Sequence, residues 1–159
     1  MLFRSPPLNV EGLPIVKPPY GVLNAIGLER GELLWQVPHG DTPDNVRNHA
    51  ALRGMNIPKT GQAGSVGLMV TRTLVVLGDS QTTTTPEHPR GAMLRAYDKK
   101  TGQQVGTVWM PAPQSGSPMT YAVDGKQYMM VAVSGGNYSG EYISFSLPTT
   151  ETRPPSGQQ

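Results

Sequence analysis

The sequence contains no cysteine, which excludes disulfides, thiolate metal sites and cysteine nucleophiles and leaves the redox compartment open. Aromatic residues are few, at 6%. The 13 Lys and Arg, for a formal charge of +2, are scattered rather than gathered into a basic stripe, so the footprint of a nucleic-acid binder is missing. No apolar run approaches the roughly 20 residues of a membrane span. The first residues, Met1 to Pro7, lack the apolar stretch of a signal peptide, and the chain as written is expected to be soluble. What the sequence does have is turn chemistry. Its 19 Gly and 16 Pro occur without a Gly-X-Y period, among strand-like runs, which favours an all-β, turn-rich fold in one domain of 159 residues.

Period-two alternation and β-branched content give nine candidate strands. Residues 21–28 and 33–38 form a hairpin across Glu29-Arg30-Gly31. Residues 65–71, 73–78, 93–98 and 104–110 make one antiparallel sheet, its last two strands joined by Lys99-Lys100-Thr101-Gly102. Residues 118–123 and 127–133 flank Asp124-Gly125, a strong two-residue hairpin signal because both positions tolerate positive φ. Residues 142–147 end the ordered part. Two long polar connections, 39–64 and 80–91, are expected to be functional or mobile, with Thr82–Thr85 read as a mobile loop. The tail from Pro148, carrying Pro154, Pro155 and Gly157, has the composition of a disordered segment.

An internal repeat organises these strands. Leu23-Asn24-Ala25 through Trp35 and Leu94-Arg95-Ala96 through Gly106 align at an offset of 71 residues, with Leu, Ala and the turn glycine (Gly31, Gly102) in register. Each copy is the outer hairpin of a four-stranded unit. Such a unit cannot cover both of its faces alone, so units stack radially as propeller blades.

The pattern Ala-x-Asp-x-x-x-Gly-x-x-x-Trp resembles the tryptophan-docking motif of quinoprotein propellers. Ala25, Gly31 and Trp35 match it with Gly27 in place of Asp, and Ala96, Asp98 and Gly102 match it with Gly106 in place of Trp. Together with Lys17-Pro18-Pro19-Tyr20-Gly21, residues 94–102 and residues 117–136, the chain resembles the C-terminal region of pyrroloquinoline quinone (PQQ) dependent glucose, sugar or polyol dehydrogenases. The resemblance implies a partial β-propeller over residues 1–148, two to three four-stranded antiparallel blades of an eight-bladed whole. Two strands finish one blade, four make the next, and three await a fourth supplied from the N-terminal end. It further implies PQQ on the propeller axis with Ca²⁺ or Mg²⁺ held mostly by other blades, a sugar or polyol substrate, and a respiratory quinone or cytochrome as electron acceptor. Periplasmic residence, and membrane association through a preceding region, belong to the same expectation. The chain alone is expected to be inactive. The rival is a non-catalytic propeller of the same repeat type, such as an outer-membrane assembly scaffold.

Under the resemblance, Ser134-Gly135-Gly136-Asn137 matches a Gly-Gly loop that approaches PQQ, with glycine admitting the flat ligand and Asn137 donating to a carboxylate or carbonyl oxygen. The alternative is an ordinary strand-to-loop turn. Asp79 stands at the same place one blade earlier, as a pocket residue or a surface turn aspartate; at Ala92 the chain departs from a cofactor-contacting Asn. His39, His49 and His88 read as solvated loop histidines without metal spacing, His49 being a candidate for substrate specificity. Met129 and Met130 read as core filler. No catalytic base is identified.

Overall fold

The computed structural model describes residues 8–147. In chain order the elements are β1 (Asn9–Val10), β2 (Leu13–Pro14), β3 (Val22–Gly27), β4 (Glu32–Pro38), the single-turn helix α1 (Asp44–Arg47), a 3-10 turn (Ala50–Leu52), β5 (Met69–Val70), β6 (Leu74–Gly78), β7 (Thr83–Thr85), β8 (His88–Asp98), β9 (Gln104–Met110), β10 (Met119–Val123), β11 (Lys126–Gly135) and β12 (Tyr138–Ser146). Apart from the short β1–β2 ribbon they form a β3–β4 pair, a sheet ordered β5-β6-β8-β9 with β7 beside the start of β8, and a β10-β11-β12 sheet, all antiparallel. This is the two, four and three of a partial propeller.

The inner strands of the middle sheet, β6 and β8, are buried on both faces, whereas β9 is largely exposed. Along β6, Val76 belongs to a core shared with Leu94, Met110, Val131 and Val133 and packed by Met129, whereas Val75 and Leu77 join Leu23 and Tyr97, packed by Trp35 and Val37. One strand thus serves two inter-sheet cores, which explains its unbroken Leu-Val-Val-Leu run.

Trp35 seals the first of these interfaces. Its ring lies on Gly102 of the next sheet, where a Cβ would come within 2.7 Å of it, and its indole N–H donates to the Lys99 carbonyl at 3.1 Å. Glycine is required at 102 twice over, by that approach and by φ +72°. Asp98 shapes the turn by accepting from the Lys100 and Thr101 amides and the Thr101 hydroxyl, and these hydrogen bonds, Thr101 foremost, hold its carboxyl below the usual range. The two incomplete motif copies are therefore complementary: the first supplies the tryptophan, the second the turn that receives it.

Three features depart from the sequence expectation. The strand expected over 65–71 contracts to Met69–Val70, because Gly67 is taken up elsewhere, its carbonyl accepting from Gln114 Nε2 at 2.6 Å. Residues 82–85 are not a mobile loop: β7 pairs with an extended β8, Thr83 opposite Gly91 and Thr85 opposite His88, and Thr83 is fully buried. Residues 149–159, expected to be disordered, lie outside the described residues.

Candidate functional site

Antiparallel connections alternate between two ends of the sheets. The tight turns 28–31, 71–73, 99–103 and 124–125 lie at one end. The connections 39–68, 79–87 and 111–118 and the β11–β12 turn at Gly136–Asn137 lie at the other. Backbone hydrogen bonds stitch this second end together. The Gln114 amide donates to the Asp79 carbonyl at 3.0 Å and the Ser134 amide to the Pro113 carbonyl at 3.0 Å, while Gln114 Oε1 accepts from the Gly78 amide. His39 reaches the same strand end, its Nε2 3.1 Å from the Gly78 carbonyl. All four residues singled out under the resemblance, Asp79, Gly135, Gly136 and Asn137, stand at this loop-bearing end.

Their environments differ sharply. Asp79 is fully buried, against its reading as a surface turn residue. Its Oδ1 accepts from Arg95 Nε at 2.6 Å and its Oδ2 from Arg95 Nη2 at 2.8 Å and the Met93 amide at 3.2 Å. Arg95 Nη2 also lies 2.8 Å from Asp41 Oδ2, and that oxygen receives His88 Nε2 at 3.0 Å. A chain of alternating charge, Asp79, Arg95, Asp41, His88, thus crosses from the middle sheet into the 39–64 connection. Charge-assisted, bidentate pairing of this kind keeps a buried ion from being a net liability. Burial opposes the guanidinium's charge, but Asp79 and Asp41 more than reverse that and raise its pKa above its ordinary value.

His39 and His88 are buried too, and neither is a solvated loop residue. His39 Nδ1 lies 3.0 Å from the Tyr97 hydroxyl. Burial holds His39 below its usual pKa and pushes the Tyr97 phenol up to about 12, so the neutral pair is one in which Nε2–H donates to Gly78 and Nδ1 accepts from Tyr97. His88 has the opposite setting. Both ring nitrogens face acceptors, Nδ1 the Pro89 carbonyl at 2.8 Å and Nε2 Asp41. Although burial disfavours the imidazolium, these partners raise its pKa. His49 spends its nitrogens on local structure, accepting from the Ala51 amide and donating to the Glu11 carbonyl at 2.8 Å.

Gly135, Gly136 and Asn137 are exposed. Gly135 at φ +137° and Gly136 at φ +62° turn the chain, and a Cβ at Gly136 would meet nothing within 4 Å. Gly135 pairs with Tyr138 across the turn, and Asn137 makes no side-chain hydrogen bond among the described residues, so its side-chain amide is open to a ligand. A planar polyanion such as PQQ fits this open, donor-bearing turn. It does not fit the Asp79 carboxylate, whose charge would repel it and whose oxygens are both engaged. Nor do the described residues fit a divalent cation, since no group of three His, Asp or Glu could hold one, and the buried Asp79 and half-buried Asp41 already face Arg95 and His88.

Sequence reasoning missed Asp41, Arg95 and Gln114. Their partners are distant in sequence, 47 residues for Asp41 with His88 and 16 for Arg95 with Asp79, and no local spacing reports such pairs. The available signal was Arg95 itself, the one charge within residues 91–97 of its strand.

The family model of the glucose/ethanol/alcohol dehydrogenase β-propeller domain (PQQ) matches residues 2–129. The chain belongs to this family. Among curated proteins it is 32% identical over 152 residues to a probable quinate dehydrogenase (quinone) of Xanthomonas campestris pv. juglandis, covering 89% of this chain and 17% of that protein. It is 27% identical over 146 residues to quinoprotein glucose dehydrogenase A of Acinetobacter calcoaceticus, with shares of 89% and 17%. To the glycerol dehydrogenase large subunit of Gluconobacter oxydans it is 28% identical over 146 residues, with shares of 86% and 18%. The chain spans less than a fifth of the length of these relatives.

Proposed function

We propose that the chain is a blade-forming portion of a PQQ-dependent dehydrogenase that oxidises an alcohol carbon of a sugar, polyol or related hydroxylated ring, with the loop-bearing end bordering the cofactor. The observation that carries this reading is the exposed turn at Gly135–Asn137, with the Asn137 side chain uncommitted, set at the same end as three long connections. When bound, PQQ supplies the two-electron acceptor, and the alcohol becomes a carbonyl as the quinone becomes a quinol.

On this reading the residues of the chain orient rather than react. Gly135 and Gly136 let backbone approach a flat ligand, Asn137 donates to one of its oxygens, and the Arg95 network fixes the 39–64 connection above the sheets. Asp79 acts through Arg95 and not by touching the cofactor. The base and the metal ligands belong to other blades, and electrons leave for a respiratory quinone or cytochrome. Periplasmic residence, with membrane association through a preceding region, belongs to the same reading.

The test is PQQ binding, with Ca²⁺, by the protein carrying all its blades. Asn137→Ala is expected to weaken PQQ binding about tenfold, the loss of one hydrogen bond to a charged group, without moving the thermal midpoint. No saturable PQQ binding by the parent protein would overturn the enzyme reading in favour of a scaffold. The 159-residue chain by itself is expected to reduce no dye with PQQ, Ca²⁺ and a sugar.

A further inference from the structure

The two copies of the internal repeat are equivalent in structure as well as in sequence. Ala25 pairs with Trp35 and Ala96 with Gly106, and both hairpins carry a bulge immediately after that alanine. In the first copy the indole fills the space between its own sheet and the next. In the second copy there is no ring at this position. A Cβ on Gly106 would meet nothing within 4 Å, and the space opens into a cleft of about 570 Å³ between the middle sheet and the β10-β11-β12 sheet. Leu74, Val108, Tyr128, Met129 and Phe145 form its walls, with Thr120 and Gln127 on the β10–β11 side.

We propose that this cleft is a binding site for a flat, uncharged ring compound of indole size. The occupant is argued from the molecule itself, because the symmetry-equivalent position one sheet earlier is filled by an indole. The lining agrees with it. No carboxylate or ammonium contributes, and the one cation, Arg95, spends its guanidinium on Asp79 and Asp41. The walls therefore favour an apolar face, and Thr120 and Gln127 offer hydrogen bonds to a single polar edge atom. The cleft reaches the ends of β9 and β11 that adjoin the tight turns, away from Gly135–Asn137, so the site is separate from the cofactor border and excludes the polyanionic cofactor itself. A ring bound there would do for the second interface what Trp35 does for the first, tying neighbouring sheets together.

The experiment titrates the full chain with fluoroindole, followed by fluorine NMR. Saturable binding with a dissociation constant on the order of 0.1 mM is expected for a ring of this size in an apolar cleft. Gly106→Trp, which places a ring in the cleft covalently, is expected to weaken binding at least tenfold and to raise the thermal midpoint. Should that variant fail to fold, Thr120→Trp blocks the opposite wall from a position that is exposed and is expected to weaken binding likewise. Absence of saturation in the parent chain, as when the chain fills its own cleft, overturns the proposal. So does binding that whichever blocking variant folds leaves unchanged.

Discussion

Replacing Arg95 by methionine removes the guanidinium and keeps an unbranched apolar stem, and the structure sets what that costs. Asp79 has 0% exposure and Arg95 3%, so no water replaces the lost partner. Asp79 keeps a single donor, the Met93 amide at 3.2 Å, and Asp41 keeps His88. Breaking a buried pair by removing one member costs about 3–5 kcal/mol, which lowers the folding equilibrium constant by about two to three and a half orders of magnitude. The loss arises from a stranded carboxylate rather than from a missing attraction. Asp79→Asn combined with Arg95→Met is therefore expected to restore at least about 2 kcal/mol of it, since Asn still accepts from Met93 without carrying charge. The assay is urea unfolding followed by the fluorescence of Trp35 and Trp109 for the parent, both single variants and the double variant. An Arg95→Met cost below about 1 kcal/mol, or strictly additive singles, would refute the argument that the Asp79–Arg95 pair is dry and coupled.

Trp35→Ala is expected to cost about 2–4 kcal/mol from lost ring packing and one hydrogen bond, with Trp35→Phe recovering more than half, as measured by the shift in urea midpoint. Gly102→Ala and Gly31→Ala both place alanine at positive φ, but only the first drives a methyl into the Trp35 ring; both lose about 1 kcal/mol to backbone strain, and Gly102→Ala should lose at least twice as much in total. The pH dependence of stability separates the two buried histidines. His88 has its pKa raised above 6.5, so its contribution is complete below 6.5 and is lost as pH rises through the folded value, and His88→Asn should flatten that alkaline decline. His39 has its pKa lowered from 6.5, so its contribution is present above 6.5 and is lost as pH falls through the folded value, while Asp41, lowered from 3.8 because His88 and Arg95 outweigh its burial, loses its own only below 3.8. Thermal midpoints across this range for the parent, His39→Asn and His88→Asn would show the two slopes removed one at a time.

The fold was legible because its signals are local. Asp124-Gly125 announces its hairpin, and both residues have positive φ in the structure. The repeat of Ala25 to Trp35 in Ala96 to Gly106 recurs as identical register and an identical bulge. What escaped was the loop end, where polar composition stands equally for solvated loops and for buried networks. The 80–91 segment looks like a loop because it is rich in Thr and Pro, yet Thr83 is fully buried and β8 begins at His88. Likewise His39 and His88 carry no spacing signature, because their partners Tyr97 and Asp41 arrive from distant strands and connections. Gly135, Gly136 and Asn137 were reached by resemblance alone, since an exposed strand-to-strand turn carries no local signal for a ligand.

The two inter-sheet seams of the chain are built from different chemistry, and this difference bears on how a propeller can carry a reactive site. The seam between β3–β4 and the middle sheet combines apolar packing with Trp35 at the turn end and the Asp79–Arg95–Asp41–His88 chain at the loop end. Directional bonds at both extremities fix one orientation of the 39–64 connection. The seam between the middle sheet and β10-β11-β12 has a larger apolar cluster, held at the loop end by Gln114 and Pro113, and an open cleft at the turn end where Gly106 replaces the ring. Apolar contact is non-directional, so this seam resists separation better than it resists sliding. The Gly135–Asn137 turn rides on the less directional seam. Gln114, which ties the Gly67, Gly78 and Asp79 backbones to the strand end at Val133, is then the residue that transmits the rigidity of the first seam to that turn.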